Sequence, residues 1–192
     1  MDRVAIRTQA RALLAGKWNL LALIWLAYFF IESATASLPG SGLIIAGPFA
    51  LGLALLSLRV VRNQDINVEM LFDGFSDFVR SLVAGLLMIV FVFLWSLLLI
   101  VPGIIAALSY SMTFYILADN PDVTASEAIT MSKNMMFGHK AELFWLYLSF
   151  IGWAFLCLFT AGIGFLWLLP YIHTSTAIFY ENLRGAEEVV IS

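Results

Sequence analysis

The stretch Val101–Pro121, VPGIIAALSYSMTFYILADNP, carries a Pro-Gly pair and then a row of hydroxyls, Ser109, Tyr110, Ser111, Thr113 and Tyr115. It sits inside an apolar run from Ser81 to Leu117. A helix crosses a hydrocarbon core of about 30 Å in about 20 residues, so this run is two spans and the Pro-Gly pair is the turn between them. Cutting the other long runs at their Pro/Gly punctuation predicts spans at 18–38, 42–60, 81–101, 103–120, 142–161 and 164–182. The connections SLPGSG, VPG and TAGIG are short and uncharged.

Composition agrees. Of 192 residues 62% are hydrophobic and 12% charged, with a mean hydropathy of +0.95, against roughly 45–50% and about 25% in soluble domains. The chain is therefore read as an integral membrane protein with the lipid bilayer as its first partner and no nucleic acid. The net charge of -3 matters less than where the charges fall. All ten Lys and Arg residues, Arg3, Arg7, Arg11, Lys17, Arg59, Arg62, Arg80, Lys133, Lys140 and Arg184, lie at the ends opposite the three turns. The positive-inside rule then predicts both termini in the cytoplasm, and that parity requires six spans. Arg3 to Lys17 followed by Trp18–Ile31 and Ala34-Thr35-Ala36 has features of a signal peptide. The long basic region and Glu32 argue instead for a retained first span.

The hairpins resemble one another. Gly42, Gly103 and Gly164 recur at intervals of 61 residues. Pro48-Phe49, Ser109-Tyr110 and Pro170-Tyr171 align, as do Tyr110 to Thr113 with Tyr171 to Thr174. The fold class expected is an all-α, six-span membrane domain, 1–192, made of three parallel pseudo-repeats, 1–62, 63–121 and 122–192. An amphipathic cytoplasmic segment precedes each hairpin. These segments are Arg3 to Gly16, then QDINVEMLFDGFSDF with Val68, Leu71, Phe72, Phe75 and Phe78 at helical spacing, and a third opened by the capping box Thr124-Ala-Ser-Glu127 and running toward Met131, Met135 and Met136.

Two charge stripes step by four residues: Arg3, Arg7, Arg11 and Asp65, Glu69, Asp73, Asp77. Each keeps to one helix face, so the first two amphipathic helices are expected to pair through them; a solvated acidic face is the bland reading. Within the spans only Glu32 and His173 are ionisable and deep, about 9 Å and about 13 Å from the outer turns at 1.5 Å per residue. They pair with each other, or Glu32 snorkels and His173 bonds a hydroxyl. The hydroxyl rows either pack helices together or line a cavity between the even-numbered spans, with Tyr110, Thr113, Tyr171, His173, Thr174 and Thr176 as its wall. Cys157 stands alone, which excludes an intrachain disulfide.

Phosphate loops, HExxH, GxSxG and metal-spaced Cys/His clusters are absent, so no enzyme, cofactor or metal is expected. The segments LLAGKW, LFDGFSDF, PGIIAALSYSMTFYILADNP and SKNMMFGHKAELFWLYLSFIGW, with Pro170-Tyr171, resemble the bacterial multi-pass membrane proteins grouped as domain of unknown function nine-seven-five. That resemblance implies a bacterial inner-membrane protein and no particular activity. The functional expectation is a small permease, exporter or channel-like protein. The alternatives are a structural or regulatory protein that recruits a partner, another membrane protein or a second copy, through its cytoplasmic helices, and a lipid-associated factor.

Overall fold

A computed structural model of the chain describes residues 2–35 and 40–191, with side chains as far as residue 186. Described residues form α1 (Arg3–Leu14), α2 (Trp18–Thr35), α3 (Ser41–Val61), the 3-10 helix η1 (Val68–Phe75), α4 (Phe78–Leu98), α5 (Ile100–Tyr110), α6 (Thr113–Asp119), α7 (Ala125–Met135), α8 (Lys140–Leu148), α9 (Ile151–Phe159) and α10 (Phe165–Ile191), with no strand among them. Five units are long and apolar enough to cross a membrane: α2, α3, α4, Ile100–Asp119 and Lys140–Phe159. The protein is an all-helical membrane protein. The expected sixth span corresponds to α10, which is long but interrupted by Tyr171, His173 and three consecutive hydroxyl residues, Thr174 to Thr176.

The helices pair as antiparallel hairpins. Tyr28 packs edge-on against Phe49 between α2 and α3, as does Phe150 against Tyr171 of α10, and Phe91 packs at a tilt against Tyr110 between α4 and α5. Two turns lie wholly among the described residues. The third hairpin turns at Thr160–Gly164, where Ala161 and Gly162 take positive φ. The middle hairpin corrects the expected VPG turn. The chain reverses at a single extended residue, Leu99 (φ -166°), and Pro102-Gly103 lies in the first turn of α5. Proline is tolerated there because a first-turn N–H has no partner to lose. Gly103 is required because a side chain would strike Ser96 on α4. Residues 36–39 of SLPGSG, and Ala36 of the cleavage-like triplet, fall outside the described residues.

Helix α3 is the centre. A Cβ on Gly47 would collide with the Ser81 carbonyl of α4, and one on Gly85 would sit 3.0 Å from the Gly47 Cα, so the two backbones touch. The 3-10 helix η1 lies on the same helix, where Gly74 meets the Pro48 carbonyl and Gly52 the Leu71 carbonyl. Its winding corrects the expected α-helical segment. It buries Met70, Leu71 and Gly74 and leaves Phe72 half exposed. Met131 is likewise exposed on α7, which buries Ala125, Ala128, Ile129, Ser132 and Met135 instead.

The expected pairing of Arg3, Arg7 and Arg11 with Asp65, Glu69, Asp73 and Asp77 does not form. Helix α1 buries Ile6, Ala10 and Leu14 and packs on α10, α3 and α8. Asp77 pairs with Arg80 at 2.5 Å. The physical reason is the winding of η1. At three residues per turn, Glu69 and Asp73 diverge by about 120°, while Asp65 precedes η1 and Asp77 caps α4, so the four acids do not share a face.

One end of the bundle is tied by charge. Arg62 donates twice to Asp119, at 2.7 and 2.8 Å, and once to Glu181 at 2.7 Å. Arg184 reaches both acids, and the Tyr180 hydroxyl donates to Asp119. Hydrogen bonding to Asp119 pushes the Arg62 pKa further up. The ends of α3, α6 and α10 therefore meet in one network, and Arg80 donates to the carbonyls of Leu117, Asn120, Pro121 and Val123 beside it.

Two predictions follow from these contacts. Gly47→Ala costs about 3 kcal/mol or more, since only backbone stands in its way, whereas Gly152→Ala, with open space around it, leaves thermal unfolding in detergent nearly unchanged. The second concerns α7. Its Thr124–Glu127 capping box forms, and hydrogen bonds from the Thr124 hydroxyl and then its backbone N–H hold the Glu127 carboxyl below the ordinary 4.5. A lowered carboxylate pKa stabilises above 4.5 and stops doing so as pH falls through its folded value. Thr124→Ala therefore lowers the melting temperature at pH 7, and its deficit against wild type narrows on acidification below 4.5; a deficit independent of pH counts against the capping box.

Candidate functional site

A cavity of about 200 Å³ lies among α3, α6, α8 and α10, walled by Ala50 and Ala54 of α3, Ser111, Phe114 and Tyr115 around α6, Tyr147 of α8, and Ile172, His173 and Thr176 of α10. Local chain chemistry makes room for it. Pro48 in α3 and Pro170 in α10 each remove one helical hydrogen bond. The fourth span breaks outright at Ser111-Met112, between α5 and α6. The break lies two to three residues beyond Ser109, the position that is 61 residues from both Pro48 and Pro170.

In hydrocarbon a broken helix must find other partners for its backbone. Ser132 of α7 supplies them, its hydroxyl accepting from the Met112 N–H at 3.1 Å and donating to the Ser109 carbonyl at 2.8 Å. The fifth span is also interrupted, at Ser149-Phe150, where the Ser149 hydroxyl donates back to Leu146.

Around the cavity the Tyr115 hydroxyl donates to the His173 carbonyl at 3.3 Å. Thr176 donates to the Ile172 carbonyl at 2.9 Å and reaches the Tyr147 hydroxyl at 3.4 Å. The His173 ring packs against Trp25, 5.0 Å between centroids, and Tyr115 stacks on Tyr180. Hydroxyls and one imidazole thus face the space, with no carboxylate, lysine or arginine in its wall.

Of the polar residues expected to form one site, His173 and Thr176 are in the wall and the rest are dispersed. Glu32 accepts from Tyr28 one turn away at 3.3 Å and does not meet His173. Tyr110 packs on Phe91 in a small cluster with Ala106 and Ile129. Thr113 is fully buried, its hydroxyl without a partner among the described residues. Thr174 is buried but outside the wall.

Tyr171 faces away, toward α1. Its hydroxyl receives Arg7 Nε at 3.3 Å and Arg11 Nε at 2.9 Å and donates to the Arg7 carbonyl. The guanidinium carbons of Arg7 and Arg11 lie 5.3 Å from the Phe150 ring and 5.7 Å from the Tyr171 ring, and that of Arg3 lies 6.0 Å from Trp145. Sequence reasoning missed Tyr147 altogether, since it belongs to an odd-numbered span. No group of three or more metal-binding side chains occurs among the described residues.

The bridge gives a test. Ser132→Ala leaves a buried N–H and a buried carbonyl unpaired and costs about 2–3 kcal/mol, while Thr113→Val, which removes an unpartnered hydroxyl, is neutral or stabilising by thermal unfolding in detergent.

Comparisons with curated proteins and with solved structures found no match. Residues 97–187, which supply seven of the nine cavity residues, match the model of the family described as Protein of unknown function (DUF975), the family that the sequence resembles.

Proposed function

We propose that the chain is a six-span bacterial inner-membrane protein, both termini cytoplasmic, whose three similar hairpins surround a site for a small uncharged polar solute, and that it acts as a permease without a catalytic step. The observation that carries this reading is the cavity among interrupted helices at His173. Transporters place their sites at discontinuous spans near mid-bilayer. A charged solute would enter unpaired at high cost, because the wall holds hydroxyls and an imidazole and no opposite charge. Helix α10 serves as the sixth span. It runs from Gly164, against Cys157, to Glu181 beside Arg62, the same direction as α3, and its polar residues are tolerable because it is interior. Cations gathered at the Arg62 end support a cytoplasmic placement of that end.

The test is osmotic. Proteoliposomes of the purified chain are exposed to a glycerol gradient and their volume followed by light scattering. Swelling several-fold faster than protein-free vesicles is expected, with the excess abolished in Ala50→Phe, which fills the cavity. Wild-type vesicles that swell no faster than empty ones overturn the permease reading for solutes of this class. A second reading, a regulatory protein that recruits a partner, is favoured by the exposed Asp65 and Glu69 on and beside η1. Neutralising both, Asp65→Asn with Glu69→Gln, leaves swelling unchanged under the permease reading.

A further inference from the structure

A second space lies on the outer side of the third hairpin. It is an apolar groove of about 400 Å³, bordered by Trp18 of α2, Trp153, Leu156, Cys157 and Thr160 of the fifth span, and Trp167, Leu168 and Tyr171 of α10, with Arg11 at its mouth. From Tyr171 to Gly164 it follows α10 for seven residues, about 10 Å. Its volume is within the range of about 300–1,000 Å³ typical of ligand pockets. Beside the mouth, Arg7 and Arg11 converge on one neutral hydroxyl. Neither arginine forms an ion pair among the described residues, and their terminal nitrogens make no hydrogen bond there.

Two guanidiniums held over aromatic rings, without a counter-ion, at the end of an apolar groove call for a ligand with an anionic head and a hydrocarbon tail. We infer that this groove binds an anionic phospholipid, its phosphodiester between Arg7 and Arg11 and an acyl chain along Trp153, Leu156 and Trp167. Guanidinium binds phosphate through paired N–H donors, and the terminal nitrogens of both residues remain available for it. Basic residues at the membrane surface attract anionic lipid in general; what distinguishes this site is that the chain-binding groove begins where the cations are fixed. A phosphatidylcholine headgroup brings its own cation to the mouth and is disfavoured. The inference concerns the lipid-facing side of α10 and does not depend on the role of the cavity on its inner side.

The experiment uses the full chain in a non-ionic detergent, titrated with phosphatidylglycerol or with phosphatidylcholine, with thermal unfolding and native mass spectrometry as readouts. Phosphatidylglycerol is expected to raise the melting temperature by several degrees and to remain bound in a single copy, whereas phosphatidylcholine does neither. Arg7→Gln with Arg11→Gln abolishes the difference between the two lipids. Leu156→Trp, which narrows the groove and keeps both arginines, abolishes it as well, so the test stands even if the double variant fails to fold. Equal shifts for the two lipids in the wild type, or a phosphatidylglycerol shift that survives Leu156→Trp, overturns the proposal. Inorganic phosphate that alone reproduces the shift also overturns it, because the site would then be an anion site without a chain.

Discussion

A backbone hydrogen bond broken inside a membrane has no water to replace it, and the structure depends on how the break at Ser111-Met112 is answered. The Ser132 hydroxyl is a donor and an acceptor on one atom, so a single side chain from α7 closes both loose ends. That contact fixes α7 against the second hairpin. Beside that interruption Ser111 and Tyr115 line the cavity. A continuous helix would need no Ser132, and the cavity would lose one of its sides.

The interior is built largely from α3, α6 and the middle of α10, and the polarity of each helix follows from its position. Helix α3 is largely buried while α4 and the tip of its hairpin, Phe93 to Val101, present apolar side chains outward. The outward-facing α4 is the most apolar of the five units, because nothing but lipid solvates it. The interior ones carry proline, serine and threonine, whose polar groups find partners within the protein. Close backbone approach at Gly47 and Gly85 brings α3 and α4 together, and the Arg62–Asp119–Glu181–Arg184 network ties the C-terminal ends of α3 and α6 to α10.

Periodicity, turn residues and charge placement made the spans legible, because each is a local property. The five apolar units lie close to the expected bounds, and the capping box at Thr124 was visible as four letters. Three features were not legible. The Leu99 turn is decided by the contact of Gly103 with Ser96, which the punctuation Pro102-Gly103 masks. The winding of η1 is decided by Gly52 and Gly74 meeting backbone, and with it the expected charge pairing fails. Membership of the cavity depends on which side of α10 faces inward. Residues Tyr171, His173 and Thr174 share one short stretch of sequence, yet Tyr171 faces α1, His173 lines the cavity and Thr174 does neither.

That division of α10 links its two sides physically. Pro170 loosens the helix at one position, and the next residue, Tyr171, is held by Arg7, Arg11, Phe150 and Trp18 on the groove side. Two residues further on, His173 and then Thr176 form the cavity wall. A rigid turn of helix cannot shift Tyr171 without shifting His173, because the rise between them is only about 3 Å. Whatever neutralises Arg7 and Arg11 acts on the hydroxyl they share, and so on the orientation of the segment beyond the proline. The groove and the cavity therefore adjoin the same short piece of α10.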